Sequence, residues 1–486
     1  MTNKEDVVAD FDVAIAGAGP VGLWLAGELR LAGVSVVVVE AREERDPNSK
    51  ALTIHPRTIE VLASRGLAGR FLAEGRRVPR GHFGMLENWL DFELLDTPYP
   101  FTLVVPQART EELLEEHARN AGADIRRGQR VSDVVQHEDG VTVRIEGRPD
   151  LTARWAVGCD GVRSAVRQAA GIEYPGTPAS VLGWLADVEM TAPPQVPAFS
   201  RWTQEGMVMV APMPGERYRL VGLAPKDIRT DWPGELTLDE VRARVREIVD
   251  ADWGMHSPIW LSRFGNASRQ ADRYRQGRVL LAGDAAHQHF PAGGVGMNVG
   301  IQDAMNLGWK LAATIHGRAP DGLLDSYHLE RHPVGAALLR STQAQTAVMS
   351  DFSPEGAQLR ALLSELIATR PGFARPLAEQ LAGLAVAYPA EPGAHPLTGT
   401  RAPDFELQDG STVFSALRGG SHLVLDFTDS VSALANSAVH RVLPVSGRPE
   451  WAGVAAALVR PDGYLAWVGT DPSGLAAALE AAGLPS

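Results

Sequence analysis

Residues 283–313 read GDAAHQHFPAGGVGMNVGIQDAMNLGWKLAA, and the reading of this stretch decides the fold. The apolar run RVLLAG at 278–283 leads into it with the length and composition of a buried strand, closing on Gly283-Asp284. Pro291, Gly293, Gly294 and Gly296 follow in a loop too glycine-rich to serve packing alone. From Asn298 the spacing turns helical, with Val299, Met305, Leu307, Trp309 and Leu311 among polar or small residues. Strand, carboxylate, glycine loop and helix start together make a device for holding an anion against bare backbone.

A second such device opens the chain. FDVAIAGAGPVGLWLAGELRLAGVSVVVVE at 11–40 reads as strand, Gly17-x-Gly19-x-x-Gly22, helix, then a second apolar strand closing on Glu40. The glycines allow a tight turn, close approach of backbone to a pyrophosphate, and close helix–strand packing. Glu40 falls about 20 residues beyond the motif, where an acid can accept hydrogen bonds from a ribose hydroxyl pair. With 49 glycines in the chain the motif alone is weak. Set in a complete strand–turn–helix–strand unit with its acid, it points to dinucleotide binding.

Length and composition bound the rest. At 486 residues the chain is long enough for two or three domains. A net charge of −13 argues against nucleic-acid binding and offers no basic stripe to an anionic membrane. No apolar segment reaches the ~18 residues of a membrane span, and the N-terminal MTNKEDVVAD is too charged for a secretory signal. Cys159 is the one cysteine, which excludes an internal disulfide, a CxxC pair and a thiolate metal cluster. These features imply a cytoplasmic, acidic, enzyme-sized protein. Lysine is scarce (Lys4, Lys50, Lys226 and Lys310), so each one draws attention.

Between the two devices, the segment from 50 to 67 turns helical around Ile59, Val61, Leu62 and Leu67. A strand-like VVPQ (104–107) meets a helix at 110–122 with Thr110 as N-cap and Gly122 as stop. Residues 131–147 read as a hairpin turning at Asp139-Gly140, and 153–172 as a strand closing on Asp160-Gly161, then a helix. The alternating stretches 184–190, 206–214 and 218–225 predict a mostly antiparallel sheet within 180–270, fit to wall a substrate chamber. Residues 278–345 return to the nucleotide-type pattern and 351–390 are helical. A Pro/Gly/Ala-rich linker (387–405) precedes a small α/β tail (401–486).

The order of Gly17-x-Gly19-x-x-Gly22 with Glu40, Gly158-Cys159-Asp160-Gly161 with Ser164 and Arg167, and Gly283-Asp284 with its loop resembles the single-component FAD-dependent aromatic hydroxylases of the p-hydroxybenzoate hydroxylase type. The chain is most similar to their actinobacterial polyketide and antibiotic branch, over nearly its whole length. The resemblance implies an α/β fold: a Rossmann-like FAD-binding domain (1–179 plus 271–345), an interleaved, mostly antiparallel substrate-domain sheet (180–270, with parts of 80–105), a helical connection (346–390), and a thioredoxin-like C-terminal domain (391–486). That last domain carries no CxxC and so has a structural or dimer-forming role, which allows a homodimer. The implied activity is hydroxylation of a large aromatic substrate with O2 and NAD(P)H, NADPH by analogy, through a flavin hydroperoxide. The cofactor carries the hard chemistry, so neither a catalytic triad nor a metal is expected.

The same resemblance places Gly17, Gly19, Val21, Gly22, Glu40 and Ala41 at the FAD pyrophosphate and ribose, and Asp284 at its ribityl or pyrophosphate region. Backbone N–H groups of Gly296, Met297 and Asn298 fall near the flavin pyrimidine ring, where the positive helix end favours the reduced anion. Gln107 stands either near FAD or as a surface polar residue. Asp160 either contacts the nucleotide region or braces the fold, Arg167 joins that bracing or lies on a helix surface, and Pro291 either leans on the ring or shapes a turn. Tyr327-x-x-Glu330-Arg331-x-Pro333, a hallmark of the family, reads as helix packing and a kink. One departure stands out: Lys50 replaces the usual arginine, keeping charge but losing the planar fork, so it is expected still to touch the cofactor or substrate and to alter flavin mobility rather than abolish activity.

Phe83, Trp89, Phe92, Trp184, Phe199, Trp202 and Met207 are candidates for the chamber wall, and Arg201 or Arg219 for an anchor. Two alternatives stay open from sequence. Baeyer–Villiger oxygen insertion uses the same cofactor. A drug-sequestering flavoprotein, with Lys50 marking decayed catalysis, belongs to another class.

Overall fold

The computed structural model describes residues 9–196, 198–429, 431, 439–445 and 448–484. Lys4 and nearly all of the charged N-terminal stretch lie outside the described residues, as do a few positions of the tail.

β1 (Phe11–Ala16) and β2 (Val36–Val39) pair in parallel, Val13 opposite Val36 through Ala16 opposite Val39. β2 is four valines, all buried, as a strand covered on both faces must be. Between them, α1 (Pro20–Leu31) starts with Pro20 in its first turn. Almost every residue of α1 from Gly22 to Leu29 is buried. α2 (Pro56–Ala63) and α3 (Gln107–Asn120) precede β3 (Asp124–Arg126), which adds to the far side of β2. β4 (Val131–Gln136) and β5 (Val141–Ile145) form the expected hairpin. β5 runs antiparallel to the first half of β6 (Leu151–Gly158), whose length lies parallel to β1. α4 (Ala165–Ala169) follows, with the Ser164 hydroxyl accepting from the Arg167 N–H.

α3 begins earlier than the sequence predicts. The strand before it stops at Val104, and Thr110, expected to cap the helix, lies a turn inside it with its hydroxyl buried and unpartnered. The Gln107 N–H donates to the Ala51 carbonyl and the Gln107 side-chain oxygen accepts the Ala51 N–H, each at 3.0 Å. That paired anchor fixes the first turn, and the Thr110 N–H already reaches the Pro106 carbonyl.

The second sheet runs β8 (Phe199–Thr203), β9 (Gly206–Met213), β10 (Arg217–Leu223), β7 (Leu182–Met190), β11 (Met255–Gly265), all antiparallel. A helix the sequence reading missed, α5 (Leu238–Val249), covers one face. Val241, Val245 and Ile248 pack there against Trp184, Ala186, Val188, Val208 and Leu220. The opposite face presents Met207, Leu223, Trp202 and Phe264 to Phe290 and Ala292 of the glycine loop and to Met349 and Phe352.

The chain then returns to the first sheet. β12 (Val279–Leu281) lies parallel to β6, Ala156 opposite Val279. α6 (Gly296–Ile315) starts two residues before the expected point. α7 (Ser326–Ser350), α8 (Pro354–Thr369) and α9 (Pro371–Ala382) make the helical stretch, Pro333 lying inside α7.

In the tail, β13 (His422–Asp426) pairs in parallel with β14 (Val439–Val442) and antiparallel with β15 (Ala456–Val459), which pairs with β16 (Leu465–Gly469). α10 (Leu475–Ala481) packs on it. A buried polar seam joins this sheet to the rest. Arg65 donates to both Glu28 oxygens at 2.7 Å and to the carbonyls of Leu417 and Pro461. Arg460 makes two 2.8 Å bonds to Glu330, which also takes one from Lys310. Among the described residues no helix is long and apolar enough to cross a membrane.

Candidate cofactor site

The strands β1, β6 and β12 lie side by side and parallel, so their carboxyl ends deliver Gly17–Gly19, Cys159-Asp160 and Gly283-Asp284 to one edge of the sheet. Ligands of open parallel sheets bind outside that edge. Gly17, at φ +100°, sits so close to the next strand that a Cβ would stand 2.4 Å from the Cys159 carbonyl oxygen. On Gly22 a Cβ would stand 2.1 Å from the Gly17 carbonyl oxygen. Gly19 differs, because a Cβ there meets nothing within 4 Å. Two glycines of the motif are demanded by protein packing; the third faces open space at the start of α1.

The two glycine devices meet at Val21. A Cβ on Gly283 would come within 2.9 Å of the Val21 side chain, and one on Gly300 within 2.6 Å. The first turn of α1 is thus wedged against the Gly283 loop and α6.

Both Glu40 oxygens accept backbone N–H groups, from Ala18 at 2.8 Å and Arg42 at 2.9 Å, which holds the carboxylate at the mouth of the turn. Ala41 follows it, half-buried. Asp284 is exposed, and its carboxylate has no partner among the described residues. Its carbonyl accepts the Tyr174 hydroxyl at 3.1 Å.

At α6 the first intrahelical acceptor reaches the Val299 N–H. The N–H groups of Gly296, Met297 and Asn298 therefore have no carbonyl to bond within the helix. The Asn298 side chain is fully used: its oxygen accepts the His55 N–H at 2.8 Å, and its amide donates to Thr53 and Gly294 carbonyls at 3.0 Å. His55 in turn donates to the Gly293 carbonyl, and burial pulls its pKa down to about 4.

Asp160 caps α4 through the Ala165 and Val166 N–H groups, while its other oxygen is buried and unpartnered. Burial pushes its carboxyl up. Arg167 ties the two strand ends together, donating to the Ala285 and Val162 carbonyls and standing 3.8 Å from the Tyr174 ring centroid. Lys50 and Pro291 are exposed. Gln107 lies near Lys50 through its paired bonds to Ala51.

Sequence reading missed the group behind the loop. Asp303, wholly buried on α6, accepts from the Gly283 N–H at 3.1 Å, the Arg331 Nε at 2.7 Å and the His287 Nε2 at 2.8 Å. Burial would raise its carboxyl, yet Arg331 and His287 hold it below the usual range. Tyr327 donates to the Leu281 carbonyl at the end of β12. An acid at a buried helical position was the available signal.

The chamber candidates separate. Trp184 and Phe199 face α5, Phe92 and Phe83 pack toward α9, and Trp89 leans on His82. Trp202 and Met207 face Phe290 and Ala292 of the glycine loop, while Phe92 and Phe83 share their cluster with Val295 at its far end. Arg219 forms a bidentate pair with Asp187 through Nε and Nη2 at 2.7 and 2.6 Å, as a buried guanidinium needs its counterion, and its Nη1 is buried without a partner. Arg201 is exposed.

These features fit an anionic dinucleotide: open space over Gly19, two helix starts with N–H groups free of intrahelical partners, and the carboxylates of Glu40 and Asp284 at the ends of β2 and β12. Comparison with known proteins agrees. Residues 10–342 match the model described as FAD binding domain, and 395–483 that described as aromatic-ring hydroxylase, C-terminal. A rifampicin monooxygenase of Streptomyces venezuelae is 45% identical over 468 residues, 95% of this chain and 96% of the relative. An anhydrotetracycline monooxygenase of Streptomyces rimosus is 43% identical over 96% of each chain. The solved anhydrotetracycline hydroxylase from that organism superposes with a TM-score of 0.89 at 41% identity, covering 98% of this chain and all of the other. The chain therefore belongs to the FAD-dependent aromatic-ring hydroxylases, monooxygenases that use FAD as their cofactor.

Proposed function

We propose that this protein uses NAD(P)H and O2 to hydroxylate a polycyclic aromatic polyketide or antibiotic. The observation that carries the reading is the junction at Val21, which joins the two glycine devices into one crevice. FAD held there would supply the hydride acceptance and O2 activation that no side chain of the site supplies.

The chain's own residues bind and orient. Gly17, Gly19, Val21 and Gly22 seat the pyrophosphate on the positive end of α1, with Glu40 and Ala41 at the ribose and Asp284 along the cofactor chain. The N–H groups of Gly296, Met297 and Asn298 favour negative charge at the far ring. Gln107 fixes Ala51 and so holds Lys50 at the rim; Asp160 and Arg167 brace the strand ends; Pro291 borders the ring. The apolar wall of Met207, Leu223, Trp202 and Phe264 excludes water and suits a large planar substrate, as the names of the relatives also favour.

In this reading residues 1–179 with 271–345 carry FAD, 180–270 with parts of 80–105 wall the substrate, and 346–390 connect to a thioredoxin-like unit at 391–486. The four-stranded mixed tail sheet supports that last assignment. NADPH as reductant, work in the cytoplasm and a homodimer complete the proposal.

The test is NADPH oxidation by the purified yellow protein against a panel of aromatic polyketides, with product analysis. The expected result is NADPH consumption that depends on the polyketide and a product carrying one more oxygen with its carbonyls intact. Conversion of a ketone to an ester would mean Baeyer–Villiger insertion instead, and tight binding without turnover would mean sequestration.

A further inference from the structure

Four imidazoles surround the glycine loop, and their nitrogens are not equally free. His287 gives Nε2 to Asp303, and His55 is committed to the Gly293 carbonyl and the Thr102 hydroxyl. His82 leans on Trp89, its Nδ1 buried without a partner. His289 is different. Its Nδ1 lies 2.7 Å from the Phe290 carbonyl, which can only accept, so Nδ1 carries the proton and Nε2 presents a lone pair.

That Nε2 has no protein partner among the described residues, and the side chain is only half-buried. It lies 3.1 Å from where a Cβ on Gly296 would stand, beside the start of α6. The next residue, Phe290, turns its ring the other way, into the apolar wall with Met207, Leu223 and Phe264. His289 therefore sits at the seam between the cofactor crevice and the wall assigned to the substrate. On the sheet side, Arg219 is paired with Asp187 and keeps only a donor, Nη1, without a partner, so it offers no acceptor to a hydroxyl. Burial lowers the imidazole pKa against the opposite pulls of the Phe290 carbonyl and Asp284, with His287 adding to the lowering, so at neutral pH the ring offers an acceptor.

We propose that His289 is a positioning residue whose Nε2 accepts a hydrogen bond from a phenolic hydroxyl of the aromatic substrate, fixing the reacting ring against the cofactor. The inference rests on the polyketide reading above. It makes the site selective for free phenols, because a methyl ether of the same ring, once it covers Nε2 and displaces water, would leave that acceptor unpaired.

The experiment is equilibrium binding to the oxidised, FAD-loaded protein, followed by the change in flavin absorption. The probes are a monohydroxyanthraquinone with its hydroxyl away from the carbonyls, and its methyl ether. The native protein is expected to bind the phenol roughly tenfold more tightly than the ether, the ratio that one hydrogen bond shielded from water by the bound ligand gives. His289→Phe should bring the two to parity, and His289→Gln, whose side-chain oxygen also accepts, should restore part of the preference. A native protein without preference, or a His289→Phe variant that keeps it, overturns the proposal while leaving the polyketide reading intact. Loss of FAD affinity in His289→Phe with the preference unchanged assigns Nε2 to the cofactor's own N–H and equally overturns it. If neither probe binds and no polyketide is turned over, the substrate reading fails and the inference with it.

Discussion

One methyl group separates the roles of two glycines in the same turn. In Gly17→Ala the added carbon meets the Cys159 carbonyl at 2.4 Å, at a positive φ that disfavours any side chain. A loss of about 2–4 kcal/mol follows from that overpacking and strain. Gly19→Val adds its bulk to open space, so the protein should melt within a few degrees of the native apoprotein yet purify without yellow colour. Thermal melts with flavin content by absorbance separate the two; a stable Gly19→Val variant that keeps FAD would refute the assignment of that space. Lys50 is exposed, and if it touches the cofactor as proposed, Lys50→Ala should weaken FAD binding or slow flavin reduction by NADPH. Titration and stopped-flow reduction that both match the native protein would remove it from the site. At this scale Gly17 and Gly22 were legible because backbone packing forces their identity, while Gly19, Glu40 and Asp284 were legible from their spacing within strand–turn–helix units. Asp303 was not, since its meaning depends on Arg331 and His287 arriving from other elements.

Helix starts show how far local pattern reaches. The periodicity announced α6 and α3, but tertiary anchors set their first residues: Asn298 bonds to His55, Thr53 and Gly294, and Gln107 pairs with Ala51. Asn298→Ala strips three bonds from a buried side chain and leaves their partners unsatisfied. A destabilisation of roughly 2–4 kcal/mol is expected in denaturant unfolding, with weaker FAD binding as the 293–298 loop relaxes. An unchanged midpoint would show that the loop holds its shape without the side chain. α5 escaped the reading because its charged segment, 238–249, sits inside a run of strands and shows its apolar side only where it meets the second sheet.

For the whole molecule, the tail seam governs the acid limit. Burial alone would raise the Glu330 carboxyl, but Arg460 and Lys310 beside it pull it down to about 2. The native pKa lies below that of an unfolded glutamate, so the pair stabilises the fold above about pH 4.5 and loses that contribution as pH falls toward 2. Glu330→Gln should lower stability at neutral pH and flatten the acid limb between those values. Melting temperatures across pH 2–7 test this, and parallel native and variant curves would contradict it. The order of sheets was readable from periodicity and turns, whereas this seam was not, because its charges come from α6, α7 and the tail, regions distant in sequence.

The wedge of Val21 between Gly283 and Gly300 also fixes when the protein can acquire its cofactor during synthesis. The first glycine turn leaves the ribosome early, but half of its crevice follows only after the entire second sheet has been made. At roughly 5–20 residues per second, the nascent chain spends some tens of seconds with an unfinished seat. A complete seat for FAD therefore exists only once residue 300 has been made, which sets the earliest point at which the whole cofactor can be captured.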